Sequence, residues 1–200
     1  VTSPPGEAQS IERIQETGAE GFVGGHLLRA LAHEGVHDVL AGYWPPGGPA
    51  ATGPASLVRQ APVDVTSTES LEGALTEYHP EWVIHLAAQS SVGRSFADPL
   101  GTWEVNATGT LRLAEALRLR GTGSVRLLVI SSAEVYGAVP AEEQPIAETA
   151  PLAPSTPYGA SKAAAEMAAL QVAEDQGVEV VIARSFNHAG PGQDERFVFP

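Results

Sequence analysis

The stretch "ERIQETGAEGFVGGH", Glu12 to His26, decides how this chain reads. Its glycines Gly18, Gly21 and Gly24 are spaced G-x-x-G-x-x-G, with Phe22 and Val23 opening a helix behind them. Three glycines in that pattern allow a tight turn, a close approach of backbone to a pyrophosphate, and close packing of helix on strand; the helix N-terminus then faces the negative charge. Such a turn follows a buried parallel strand, which reads as a nearly continuous apolar run. Here Glu12, Arg13, Gln15 and Glu16 interrupt the run. Buried without partners, each would cost on the order of 1–3 kcal/mol or more, against a domain stability of about 5–15 kcal/mol. Residues 1–16 are therefore expected to be an atypical N-terminal segment rather than the native first strand, and the chain is expected to bind a dinucleotide poorly. Residues 17–200 are expected to form the dinucleotide-binding domain and the start of a substrate-binding region.

Composition narrows the function classes. The 200 residues carry a net charge of −13, which opposes binding to nucleic acid or to an anionic membrane surface. There is no cysteine, hence no disulfide and no thiolate chemistry. No apolar run approaches the roughly 20 residues of a membrane span, and "VTSPPGEAQS" lacks the basic and apolar regions of a signal peptide. The expected location is the cytoplasm. Met167 is the only methionine, and the chain stops at "RFVFP". A fragment, cut at one or both ends, is the expectation.

Outward from the glycine turn, strand-like and helix-like runs alternate. "FVGGHLLRALAHEG" reads as a helix closing at Gly35 and "VHDVLAGYW" as a strand. A Pro/Gly loop follows, then a weak strand "LVRQAPVDV" broken by Pro62, then a capped helix "TSTESLEGALTEYHP". "WVIHLAA" is a buried strand and "PLGTWEVNATGTLRLAEALRLRG" one long helix. "VRLLVISS", "PYGASKAAAEMAALQVAEDQG" and "VEVVIARSF" are strand, helix and strand. Such alternation predicts a doubly wound, Rossmann-like parallel sheet with ligands beyond the carboxyl ends of its strands.

The conspicuous residues fall at those ends. Asp64, followed by Val65, could accept from an adenine amino group or could simply close a turn. No acid stands at the end of "VLAGYW", about 20 residues past the glycines, and Asp38 comes too early. Without that carboxylate a 2′-phosphate is not repelled, so NADP is slightly favoured over NAD. Tyr158 and Lys162 are four apart on a helix and share a face. An unperturbed phenol titrates near ~10, and a neighbouring ammonium, with a cationic nicotinamide, lowers that value. Alternatively the pair is a surface Tyr–Lys contact. Ser132, ending "VISS", offers a hydroxyl to a carbonyl or closes the strand.

Taken together, the glycine turn, "HLAAQSSV", "VNATGT", "SSAEVYG", "PYGASKAAAE" and "ARSFNHAGPGQ" resemble the extended short-chain dehydrogenase/reductases acting on nucleotide sugars. "FNHAGPGQ" before "FVFP" resembles most the group reducing GDP-4-dehydro-6-deoxy-D-mannose. The resemblance implies a catalytic set of Ser132, Tyr158 and Lys162, with Glu134 as an acid–base residue or a structural carboxylate. It implies cofactor contacts from Leu86, Ala87, Ala88 and Asn106, the last also as the structural asparagine of its helix, and substrate contacts from Gln89, Ser90 and Asn187, with Arg184 at the substrate site supporting the Asn187 loop. It also implies a truncated C-terminal substrate domain and a homodimer through helices around 102–119 and 158–172, the second rich in Ala160, Ala163, Ala164 and Ala168. His85 and His188 are expected to be structural. The implied activity is NAD(P)H-dependent reduction of a C4 ketone; the alternatives are a 4,6-dehydratase or 4-epimerase, or a non-catalytic dinucleotide-binding fragment. Two departures stand out, Ser185 in place of a proline and the polar first strand.

Overall fold

Six parallel strands order the molecule as β3-β2-β1-β4-β5-β6 in the computed structural model, which describes residues 13–194 apart from 37, 47, 49–57, 122–123 and 174–176. The strands are β1 (Ile14–Thr17), β2 (Val39–Tyr43), β3 (Val58–Pro62), β4 (Trp82–His85), β5 (Val125–Ser132) and β6 (Val178–Ser185). The helices α1 (Phe22–His33), α2 (Thr68–Tyr78), α3 (Val92–Ala97), α4 (Pro99–Trp103), α5 (Gly109–Arg120) and α6 (Pro157–Ala173) provide the connections. This is the strand order of a dinucleotide-binding α/β domain, and its switch point lies between β1 and β4.

Local sequence explains most boundaries. Ser67 caps α2, accepting from the Ser70 N–H, and His79 closes it at φ 55°. Gly35 at φ 77° ends the turn after α1. Arg13 on the way into β1 pairs with Glu81 at 3.2 Å. One apolar cluster joins Leu71, Leu75, Leu113, Leu117, Leu127 and Val172 on one face of the sheet. A second gathers Ile14, Leu28, Val39 and Ile84 around the N-terminal half.

Three expectations need correction. The polar segment does form the central strand: Ile14 to Thr17 pairs with β2 and β4 and is buried throughout. Parallel pairing on both sides satisfies its backbone, but the Gln15 amide and the Glu16 carboxylate have no hydrogen-bond partner. The long helix from Pro99 is not uniform, for Glu104–Thr108 is a π-helical turn between α4 and α5. The short helix α3 and the 3-10 turn Ala133–Tyr136 were not expected at all. Most of the Pro/Gly loop, residues 1–12 and the "FVFP" end lie outside the described residues.

Candidate active site

At the switch point the chain is tightest. Gly18 has φ +76°, and a Cβ there would stand 2.7 Å from the Ala87 nitrogen. A Cβ on Gly24 would stand 2.7 Å from the Ala19 carbonyl oxygen and as close to Glu16 Oε1. Gly21 precedes α1 with no side-chain cap, and the first turn of α1 holds no acid. Bare backbone at a helix N-terminus suits a phosphate, so these residues fit the pyrophosphate of a dinucleotide. Phe22 is partly exposed and Val23 more so, in the first turn of that helix.

A one-directional hydrogen-bond chain holds the floor of the switch point. The Ala87 N–H donates to Thr17 Oγ1 (3.3 Å), and Thr17 Oγ1 bonds His85 Nδ1 (2.7 Å). His85 Nε2 bonds Thr110 Oγ1 (3.0 Å), which itself donates to the Asn106 carbonyl (2.6 Å). Thr110 spends its proton on Asn106, so His85 must donate from Nε2 and accept at Nδ1. Burial, with the Lys162 charge nearby, pushes His85 down to about 3 and keeps it neutral. Its expected structural role follows from this geometry.

Asn106 sits in the π turn, 1 % exposed. Its Oδ1 accepts from the Gln89 N–H (2.8 Å), and its Nδ2 donates to the Gln89 carbonyl (3.0 Å) and to Ser161 Oγ (3.0 Å). Asn106 therefore acts as a buttress for the segment Leu86–Ala87–Ala88–Gln89, with its amide fully engaged inside the fold. The Gln89 side chain is engaged too: Nε2 donates to the Ser91 carbonyl and Thr102 Oγ1, while Oε1 accepts from the Ser91 N–H. Ser90 is exposed. Asp64 Oδ1 accepts from the Thr66 N–H and hydroxyl and so closes a turn beyond β3. Val65 packs against Gly109.

Beyond β2 the missing strand-end acid has a counterpart. Glu20, inside the glycine turn, accepts from the Trp44 N–H at 3.2 Å. Asp38 is committed elsewhere, accepting from Arg59 (2.8 Å) and from the Tyr78 hydroxyl (3.1 Å).

At the carboxyl end of β5, Ser132 accepts from the Glu134 N–H at 3.2 Å, and its side chain lies near enough to the Tyr158 phenol to influence its ionisation. Tyr158 begins α6 with its N–H on Ser95 Oγ (3.1 Å). Lys162, one turn on, places Nζ 2.7 Å from the Ile130 carbonyl. Gly159 lies so close to the Glu134 carbonyl that a Cβ would stand 2.6 Å from it. The structure thus brings Ser132, Tyr158, Lys162 and Glu134 together. Burial comes first among the influences on the phenol and raises it, the nearby Ser132 hydroxyl lowers it, and the Glu134 charge raises it again. Burial also pushes the Lys162 ammonium down to about 8, against the pull of Glu166.

Arg184, expected near substrate, is spent inside the protein. It pairs with Glu166 through Nη2 (2.8 Å) and Nε (3.0 and 3.2 Å), and Nη1 donates to the Tyr136 hydroxyl (2.8 Å) and the Glu148 carbonyl (2.7 Å). These bonds anchor the loop that follows β6, the support expected of Arg184. Asn187 and His188 are exposed on that loop, with His188 stacked on Phe22 at 6.2 Å. No cluster that could hold a metal occurs among the described residues.

With this geometry stand the comparisons. A family model described as GDP-mannose 4,6 dehydratase matches residues 17–200. The chain belongs to this family. The GDP-6-deoxy-D-mannose reductase of Pseudomonas aeruginosa is 40 % identical over 191 residues, covering 94 % of this chain and 56 % of the relative. The structure of the RMD protein of Pseudomonas aeruginosa complexed with NADPH superposes with a TM-score of 0.74 at 39 % identity, covering 94 % of this chain and 57 % of that one. The Thermus thermophilus UDP-glucose 4-epimerase complexed with NAD gives a TM-score of 0.78 at 36 % identity, covering 91 % and 57 %. The chain spans a little over half the length of these proteins. The family is one of NAD(P)-dependent reductases, dehydratases and epimerases on an α/β Rossmann-like domain.

Sequence reasoning missed Glu166, Ser95 and Ser161. Glu166 had a signal, its place four residues after Lys162, where an i,i+4 pair meets. Ser95 and Ser161 carried none, since a serine that caps or bridges looks like any other serine. Among the described residues no helix is long and apolar enough to cross a membrane.

Proposed function

We propose that this chain is the dinucleotide-binding part of a cytoplasmic NAD(P)H-dependent reductase acting on the C4 ketone of a GDP-4-dehydro-6-deoxyhexose. The observation that carries the reading is the gathering of Ser132 and Glu134 at the end of β5 against the start of α6, which carries Tyr158 and, one turn on, Lys162, with the glycine turn at the neighbouring switch point. When bound, a reduced nicotinamide dinucleotide would supply the hydride. Tyr158 donates its Oη proton to the ketone oxygen, and Ser132 hydrogen-bonds that oxygen and orients it. A phenol held above its ordinary value is protonated at neutral pH, which suits a general acid. The 40 % identity to a reductase of this class supports the substrate.

NADPH is favoured as reductant because β2 ends without an acid and because the similar RMD structure holds NADPH. Glu20 is the carboxylate that opposes this preference. A homodimer through α4, α5 and α6 is supported by an apolar face left exposed there, with Leu100, Trp103, Leu111, Met167 and Leu170.

A 4,6-dehydratase is the second reading, supported by Glu134 beside Tyr158 as a candidate second acid–base group. The full-length parent separates the two. A reductase oxidises NADPH in step with loss of the 4-keto sugar. A dehydratase turns GDP-mannose into the 4-keto sugar with no net use of cofactor, and that outcome would overturn the reductase reading.

A further inference from the structure

Glu166 is 1 % exposed inside α6, and a carboxylate there is an expensive choice unless its charge is used. An apolar residue would fill the same volume without desolvation. Its oxygens are fully occupied. Oε1 accepts from the Ser131 hydroxyl and from Arg184 Nε, and Oε2 accepts from Arg184 Nη2 at 2.8 Å. Ser131 follows Ile130, whose carbonyl takes the Lys162 ammonium at 2.7 Å. Ser131 and Arg184 are also register partners across β5 and β6. One carboxylate therefore fixes the peptide next to the lysine's acceptor, the end of β6, and the face of α6 that carries Tyr158 and Lys162.

We propose that Glu166 is a positioning residue, which through Ser131 keeps the Lys162 ammonium seated on the Ile130 carbonyl and ties it to the Arg184 end of the substrate loop. The proposal rests on Tyr158 and Lys162 being the reacting pair. Lys162 is 7 % exposed, and burial opposes its charge while Glu166 supports it. The titratable groups around Lys162 are His85 from β4 and Tyr158 and Glu166 from α6; Arg184 of β6 stands behind Glu166, and Glu134 acts on Tyr158. His85 is neutral, so Glu166 is the anion that the lysine feels.

A property of the sequence makes the test direct: Lys162 is the only lysine. In this 200-residue chain grown with 13C-lysine, the Cε resonance reports one side chain, and its pH titration needs neither substrate nor cofactor. Glu166→Gln keeps the shape and removes the charge. The expected result is a Lys162 midpoint lowered by about 1–3 pH units, with a circular dichroism spectrum like that of the unaltered chain. Where Glu166→Gln alone leaves Arg184 unpaired and the chain unfolded, the double variant Glu166→Gln/Arg184→Gln removes both charges, and a smaller drop of about 0.5–1 pH units is expected, since losing the Arg184 cation partly offsets losing the anion. A folded variant whose Lys162 midpoint stays within about 0.3 pH units of the original overturns the proposal. Should the parent prove not to be a reductase while the midpoint drops, the fault lies with the functional reading and the positioning role stands.

Discussion

Glu16 and Glu166 are both essentially inaccessible, and they stand in opposite circumstances. Glu166 is enclosed by Ser131 and two arms of Arg184. Glu16 lies under the glycine turn, beside the backbone of α1, with neither oxygen bonded. Burial, and to a lesser degree the charge of Glu20, pushes the Glu16 carboxyl up to about 8. The contrast extends to their surroundings. Around β5 and α6 the buried polar side chains Asn106, Ser161, Ser131 and Lys162 all have partners. In β1, Gln15 as well as Glu16 has none. Burial alone does not tell a designed polar site from a misfit; the count of satisfied atoms does.

The first way to sharpen the comparison concerns chemistry. Tyr158→Phe in the full-length parent should lower turnover by about 10²–10⁴-fold and leave the dissociation constant for NADPH unchanged. Near-parental turnover would remove the partnered region's claim to be the reacting one. Next comes stability. Glu166→Leu strands the Arg184 guanidinium, and breaking a buried pair in this way costs about 3–5 kcal/mol; urea unfolding should show the loss. An unchanged midpoint would mean that the two carboxylates are equivalent after all.

Glu16→Val should act in the other direction. The carboxyl ionises near its ordinary 4.5 when unfolded and at about 8 when folded. The folded state therefore holds the extra proton, and stability falls as pH rises from about 4.5 to 8, by on the order of 5 kcal/mol across that window. Val at position 16 should remove that fall, raising the melting temperature at pH 8 far more than at pH 5. His85 sets the opposite limb. Held down to about 3 when folded, it destabilises the protein as pH falls below about 6.5, because only the unfolded chain takes up the proton. That acidic limb should survive in Glu16→Val. A variant no more stable than the original at pH 8 would show that β1 tolerates its polar residues. The smallest effect is expected at Glu20→Gln, a several-fold tightening of NADPH binding with little change for NADH, read by calorimetry. Equal tightening for both would place Glu20 away from the 2′-phosphate.

Much of this contrast was legible in the sequence. The alternation of apolar runs with helical ones implied a parallel sheet with helices on both faces, and the glycine spacing marked the cofactor turn; the order of the strands came only with the structure. Gln15 and Glu16 were visible as misfits, because parallel central strands are apolar on both faces. That the strand nevertheless forms was not visible, since its backbone bonds to β2 and β4 are supplied by residues far away in sequence. The engagement of the Gln89 side chain within the protein was equally hidden. A motif states which side chains gather at a site, and only packing decides whether they face a ligand or each other. Glu166 was hidden for the same reason, though its spacing from Lys162 announced it.

The turn at Glu104–Thr108 has a consequence of another kind. A π turn is an α-helix with one residue too many, so α4 and α5 are out of phase by about a hundred degrees of rotation. That offset lets Asn106 point at the Gln89 backbone while Leu100 and Trp103 ahead of it, and Leu111 behind it, stay on the outside. No side chain supplies the offset; the length of the chain does. A single-residue deletion in this stretch would restore an ideal helix and improve its hydrogen bonding. It would also swing Asn106 away from Gln89 and leave the switch point without its prop. Regularity here would be the lesion.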